Sequence, residues 1–201
     1  PMQTLATPCV LAKGEEQTQD YVPFGSAGTR SGTLEMTNLP PLGLERRLEY
    51  LLRYPYGCLE QTTSAAFPQL HLATFMELKE DQRTKVRENV AAALDRLRQF
   101  QRSDGAFSYW PDRGEISSWS TSYVGHFLLA AKAAGFTLPS GILRSWQDYQ
   151  QGAARAWEGR IADFGLVSRS SYELDQAYRL YTLALAGKPE LGAMNRLRER
   201  N

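Results

Sequence analysis

The chain has 201 residues, 42% of them hydrophobic, which is enough for one large domain with a sizeable buried core. Lys and Arg number 23 against 22 Asp and Glu, so a net charge of +1 offers no basic field for nucleic acid or anionic lipid. The longest apolar run, Phe127 to Phe136, is too short for a membrane span and carries Lys132, and no leader or anchor is expected. The two cysteines, Cys9 and Cys58, exclude a disulfide framework and a paired-cysteine zinc site, so neither metal nor cofactor is expected. A Cys9–Cys58 disulfide stays open for an oxidising compartment. The chain begins Pro1-Met2-Gln3 and stops at Arg200-Asn201 within a helical pattern, which reads as a piece of something longer.

Residues 1–41 hold Pro8, Pro23, Pro40 and Pro41 among Gly14, Gly25, Gly28 and Gly32, a texture of extended segments and turns. The alternation of residues 32–37 predicts a short strand. From residue 42 to 201 the texture is helical. Leu44, Leu48, Leu51 and Leu52 share a face that must end near Arg53, before Pro55. Residues 59–77 are apolar nearly all round, with a kink at Pro68. Residues 81–101 carry a stripe of Val86, Val90, Leu94, Leu97 and Phe100 opposite charged residues. Residues 119–135 are mostly apolar, and residues 140–157 carry Leu143, Trp146, Tyr149 or Gln150, Ala153 and Trp157. Residues 171–186 are again apolar and aromatic, and a last helix begins near Glu190. Buried helices thus alternate with half-exposed ones. This predicts a mainly α fold of helical hairpins in inner and outer layers, part of an α/α toroid, preceded by the β/irregular segment.

The run Arg53-Tyr54-Pro55-Tyr56-Gly57-Cys58-Leu59-Glu60-Gln61-Thr62-Thr63-Ser64 carries the chemistry. Pro55 and Gly57 make a tight approach to a helix that begins near Cys58. Side chains three apart at a helix start share a face, so the Cys58 sulfur can meet the Gln61 side-chain carbon. That spacing permits an internal thioester: the thiol displaces ammonia from the amide and leaves an electrophilic acyl group on sulfur.

Gly57-Cys58-Leu59-Glu60-Gln61 resembles the thioester motif of the α2-macroglobulin and complement superfamily, and residues 54–64 resemble its bacterial α2-macroglobulin version. The resemblance continues through Ser103 to Trp110, Trp119 to Leu129, and Gln176 to Gly187, covering most of residues 31–199. It implies a thioester domain with an α/α toroid fold, truncated on its C-terminal side. It also implies a stoichiometric covalent protease trap rather than an enzyme. A protease cleaves a bait region elsewhere in the parent protein, the body rearranges, and a lysine amine of the attacker takes the acyl group of Gln61 from Cys58. Partners implied by the family are proteases, the other macroglobulin domains and a penicillin-binding protein. Its location would be the periplasm, on the inner membrane as a lipoprotein. A truncated ring is expected to self-associate through its uncovered inner helices.

Tyr54 and Tyr56 bracket Gly57, and their rings are candidates for excluding water from the acyl–sulfur bond. Glu60 suits the positive end of a helix dipole and is assigned no chemistry. His71 lies too far along the helix to reach Gln61. His126 could approach the motif, but it does not fall where the family's acyl-transferring histidine would, so amine acceptors are expected over hydroxyls. Two readings compete. A cysteine-nucleophile enzyme, a hydrolase or acyl transferase using Cys58 with His126, gives Gln61 no reason for its spacing. An inert helical binding module needs none of the motif. A toroid cyclase or prenyltransferase would need an acid or metal cluster, and Asp104, Asp112 and Glu115 are spaced as loop residues.

Overall fold

Helix periodicity decides most of the architecture, and the computed structural model shows where each face goes. It describes residues 50–111, 113–158 and 169–200, together with residues 7, 9–20, 26, 28, 29, 36 and 48. The chain divides into two compact units, Pro1–Arg47 and Leu48–Asn201. In the first, the described residues form turns: Glu15 N–H donates to the Ala12 carbonyl at 3.1 Å and Thr29 N–H to the Ser26 carbonyl at 3.2 Å. The expected strand at 32–37, the boundary at residue 42 and most of the helix from Leu44 lie outside the described residues.

The second unit is helical. In chain order it comprises α1 (Leu59–Ala66), a 3₁₀ segment (Phe67–His71), α2 (Leu72–Phe75) and α3 (Glu80–Leu97). A two-stranded hairpin of β1 (Ser108–Trp110) and β2 (Arg113–Ile116) follows, and then α4 (Ser118–Ala133), α5 (Ile142–Ala156), α6 (Arg169–Leu185) and α7 (Leu191–Arg198). Pro68 produces the predicted break. It sits in the first turn of the 3₁₀ segment, where its missing N–H costs nothing, and the chain re-enters α-helix at Leu72.

Helices α1, α4 and α6 pack in series, α1 on α4 and α4 on α6, while α3, α5 and α7 lie outside them. This is the inner and outer layering of an α/α toroid wall. Helix α4 is buried on nearly every side, through Thr121, Val124, Phe127, Leu128 and Ala131 among others. Outer helix α3 buries one stripe, Val90, Ala93, Leu94 and Leu97. The main core joins these to Leu59, Phe100, Phe107, Ile142 and Trp146. Gly125 lets α5 approach α4, because a Cβ there would overlap the Trp146 indole, whose Nε1 donates to the Thr121 carbonyl at 2.8 Å.

Three expectations are corrected. The all-round burial of residues 59–77 ends at Leu72, and Phe75 is exposed, because α2 turns outward after the 3₁₀ segment. On α5 the buried stripe is Ile142, Trp146, Gln150 and Ala154. Gln150, not Tyr149, is inside because its amide is satisfied there: Nε2 donates to Ser122 Oγ at 2.9 Å and Oε1 accepts from Arg179 Nε at 3.0 Å. Ser108–Trp110 and Arg113–Ile116 pair as antiparallel strands, with Trp110 opposite Arg113, where loop spacing was expected.

Candidate functional site

The site is built at the start of α1. Tyr56 N–H donates to the Tyr54 carbonyl at 3.1 Å, closing a three-residue turn over the buried Pro55. Gly57 then takes φ +101°, a conformation that favours glycine. Its lack of a side chain is required twice over, since a Cβ at Gly57 would overlap Gln61 Oε1 and lie 2.9 Å from Gln61 Cδ. Cys58 is the N-cap of α1 in extended backbone and Gln61 is its third residue, and in a capping box each side chain turns to the other's backbone N–H. Cys58 N–H donates to Gln61 Oε1 at 3.1 Å. The Cys58 side chain is 2% exposed, whereas Gln61 lies at the surface. The two candidate residues thus stand together at the helix start, Cys58 buried and Gln61 at the surface. Cys9 is an exposed free thiol and Cys58 a buried one.

Distant elements hold this turn. Arg96 of α3 donates through Nη2 to the Gly57 carbonyl at 2.9 Å, with its guanidinium carbon 5.6 Å from the Phe100 ring centroid. Gln69, buried in the 3₁₀ segment, donates to the Arg53 and Ala65 carbonyls, each at 2.9 Å, and accepts from Asn89 of α3 at 3.1 Å. These bonds tie the approach strand, the motif helix and the outer layer into one unit.

Of the other candidates, Tyr54 and Tyr56 pack on each other with ring centroids 4.4 Å apart, and both are exposed, Tyr56 at 71%. His126 is placed among the rings of Phe67, Tyr178 and Tyr181, and its Nδ1 is 3.1 Å from the Tyr178 hydroxyl. Phe67 is six residues past Gln61, about 9 Å farther along the helix axis. Burial, with His71 as a second and like-signed neighbour, lowers the His126 imidazole below its usual 6.5.

The residue that sequence reasoning left unassigned is Tyr109. Strand β1 packs against α1, and the Tyr109 hydroxyl donates to Glu60 Oε2 at 3.3 Å. The neighbouring Cys58 side chain, followed by burial and the Glu60 carboxylate, pushes Tyr109 up to about 12. Among the described residues no cluster of three or more His, Cys, Asp or Glu is arranged to hold a metal ion, and no helix is long and apolar enough to cross a membrane.

Comparison with known proteins gives this geometry a context. Residues 34–151 match the family model for the A-macroglobulin TED domain. The alpha-2-macroglobulin of Escherichia coli K12 is 31% identical over 99% of the chain, which spans 12% of that protein. A crystal structure of Salmonella alpha-2-macroglobulin reacted with methylamine superposes with a TM-score of 0.68 at 31% identity, over 81% of this chain and 11% of that one. The trypsin-activated E. coli alpha-2-macroglobulin gives 0.60 at 31% identity, over 73% and 10% respectively. The chain thus spans about one tenth of the relatives it matches, and it belongs to the A-macroglobulin TED domain family.

Proposed function

We propose that Cys58 and Gln61 form an internal thioester and that this domain arms a larger macroglobulin to trap proteases covalently. The observation that carries the reading is the Cys58–Gln61 capping box on a glycine that the Gln61 side chain itself excludes from having a Cβ. The Cys58 thiol adds to the Gln61 amide carbon and ammonia leaves. The Cys58 N–H, already bonded to the carbonyl oxygen, stabilises the charge that develops on it. On activation a lysine amine of the protease adds to the same carbon, the carbon–sulfur bond breaks, an amide forms and the thiol is regained. Each domain reacts once, as an inhibitor and not an enzyme.

The relatives support this direction, since the Salmonella protein has been crystallised after reaction with methylamine and the E. coli protein after activation by trypsin. Proteases and the remaining macroglobulin domains are the partners proposed, with a penicillin-binding protein as a further one. The proposed location is the periplasmic face of the inner membrane, through a lipoprotein anchor on the parent. With His126 engaged by Tyr178, amines are the proposed acceptors in preference to hydroxyls.

Intact mass tests the chemistry. The expected protein is one ammonia lighter than its sequence and has an unreactive Cys58, and methylamine restores one thiol and adds its own mass. Tyr54→Ala and Tyr56→Ala accelerate that inactivation if the rings keep water and small amines away. Full sequence mass with immediate alkylation of Cys58 and turnover of an acyl substrate would favour the cysteine-enzyme reading instead.

A further inference from the structure

Arg96 stands half-buried in the last turn of α3, and among the described residues no carboxylate pairs with it; the ion pairs there are Arg87–Glu80, Arg102–Asp104 and Arg155–Glu190. Its Nε is buried without a partner, while Nη2 donates to the Gly57 carbonyl at 2.9 Å. A buried guanidinium N–H left unpaired is costly, so stability alone does not explain the residue. The carbonyl that it meets belongs to the same peptide unit as the Cys58 N–H, and that N–H donates to Gln61 Oε1 at 3.1 Å. Guanidinium, peptide and Gln61 carbonyl thus form one chain of hydrogen bonds. A cation on the oxygen of a peptide draws electron density from its nitrogen and makes the N–H a stronger donor. We propose that Arg96 is a positioning residue of the thioester chemistry, which polarises the Gly57–Cys58 peptide and so strengthens the Cys58 N–H toward the oxygen of Gln61.

This rests on the thioester reading above and deepens it. In the step concerned, the amine nitrogen bonds to the Gln61 carbon and loses a proton to solvent, and an electron pair of the carbonyl moves onto Oε1. The Cys58 N–H meets that charge, with the Arg96 cation behind it across one peptide. The pair then returns, the carbon–sulfur bond breaks with its electrons on sulfur, and solvent protonates the thiolate. Gly57 makes the relay possible, because a Cβ there would take the space that Gln61 Oε1 occupies. The same oxygen carries the charge when the Cys58 thiol adds to the Gln61 amide. Arg96 therefore speeds closure and opening of the bond alike.

The test reads the peptide and the rate separately in the full chain. The sequence holds two cysteines, so isotopic nitrogen labelling of cysteine gives two amide resonances, and Cys9→Ser identifies that of Cys58. Arg96→Met keeps an apolar stem beside Phe100 and loses the charge, and it moves the Cys58 amide proton upfield. Arg96→Lys keeps the charge and holds the resonance near its original place. All chains are compared after methylamine treatment, so that they share one covalent state. With the thioester present by mass before that treatment, Arg96→Met slows thiol release by methylamine about two- to eightfold, which is a donor worth roughly a hundredfold to a thousandfold weakened by about 10–30%. Arg96→Lys recovers the rate. A role confined to tethering the turn lowers the denaturant midpoint of Arg96→Met and leaves the resonance in place; that result, or a Lys variant no better than the Met variant, would overturn the proposal. Arg96→Gln, a neutral donor, replaces Arg96→Met if the latter does not fold, with the same upfield shift expected. If the unmodified chain has its full sequence mass, the thioester reading fails instead, and the Cys58 resonance still decides whether Arg96 polarises its N–H.

Discussion

At Gly57 two independent demands meet in one residue: a φ of +101° and the space taken by the Gln61 amide. Gly57→Ala is therefore expected to cost about 1 to 3 kcal/mol of stability from backbone strain and to push Gln61 away from the Cys58 sulfur. Mass spectrometry should show the variant at its full sequence mass with an alkylatable Cys58, and a denaturant melt should show the smaller loss. The Cys58–Gln61 pair was legible in the sequence because a spacing of three at a helix start is a local fact. Tyr109 was not, because it is 49 residues from Glu60 and reaches it only through the docking of β1 on α1. Arg96, 39 residues from Gly57, was hidden for the same reason, and as one of several arginines on a solvent-facing helix it carried no signal of its own. The tyrosine pair was visible in the run itself, but which of its faces meet solvent is set by the turn over Pro55.

Among elements, helices of fifteen or more residues were legible in type and to within two residues at most ends or so, since α3, α4, α5 and α6 each carry sustained periodicity. The hairpin was missed because Ser108 to Trp110 is too short to show alternation, with one buried residue and two exposed. On α5 the sequence named Trp146 and Trp157 correctly and left Tyr149 or Gln150 open, because only the partners Ser122 and Arg179 decide that Gln150 is the core residue. Helix α4 also carries a pH dependence. His126 faces Phe67 and His71 from the 3₁₀ segment and Tyr178 and Tyr181 from α6, and its folded form resists protonation. The unfolded chain takes up a proton near 6.5 where the folded one does not, so acid favours unfolding. Stability should fall as pH drops through 6.5 and level off once the folded imidazole is charged as well. Denaturant midpoints across that range should show the fall, and His126→Gln should flatten it.

For the whole chain, the inner series of helices ends on α6 with an apolar stripe of Leu174, Tyr178, Tyr181 and Leu185, three of them 50% exposed or more. Trp119 extends the stripe, with its ring 4.7 Å from that of Tyr178. We predict that the 201-residue chain binds an apolar dye and associates with rising concentration in light scattering. Leu174→Lys with Leu185→Lys should lower both without loss of helical signal, and a monodisperse monomer with little dye binding would contradict the prediction. Layering was readable from the alternation of buried and half-exposed helices, whereas the identity of the uncovered face required the packing order. The way the site is assembled has one more consequence. Its turn is fixed by Arg96 of α3 and by Gln69, so the proposed bond between Cys58 and Gln61 is expected to close only after α3 has docked. On that proposal a closed bond marks a molecule that has reached its native state and has not reacted since, and a thiol-capture resin would retain the chains that never closed it together with those already spent.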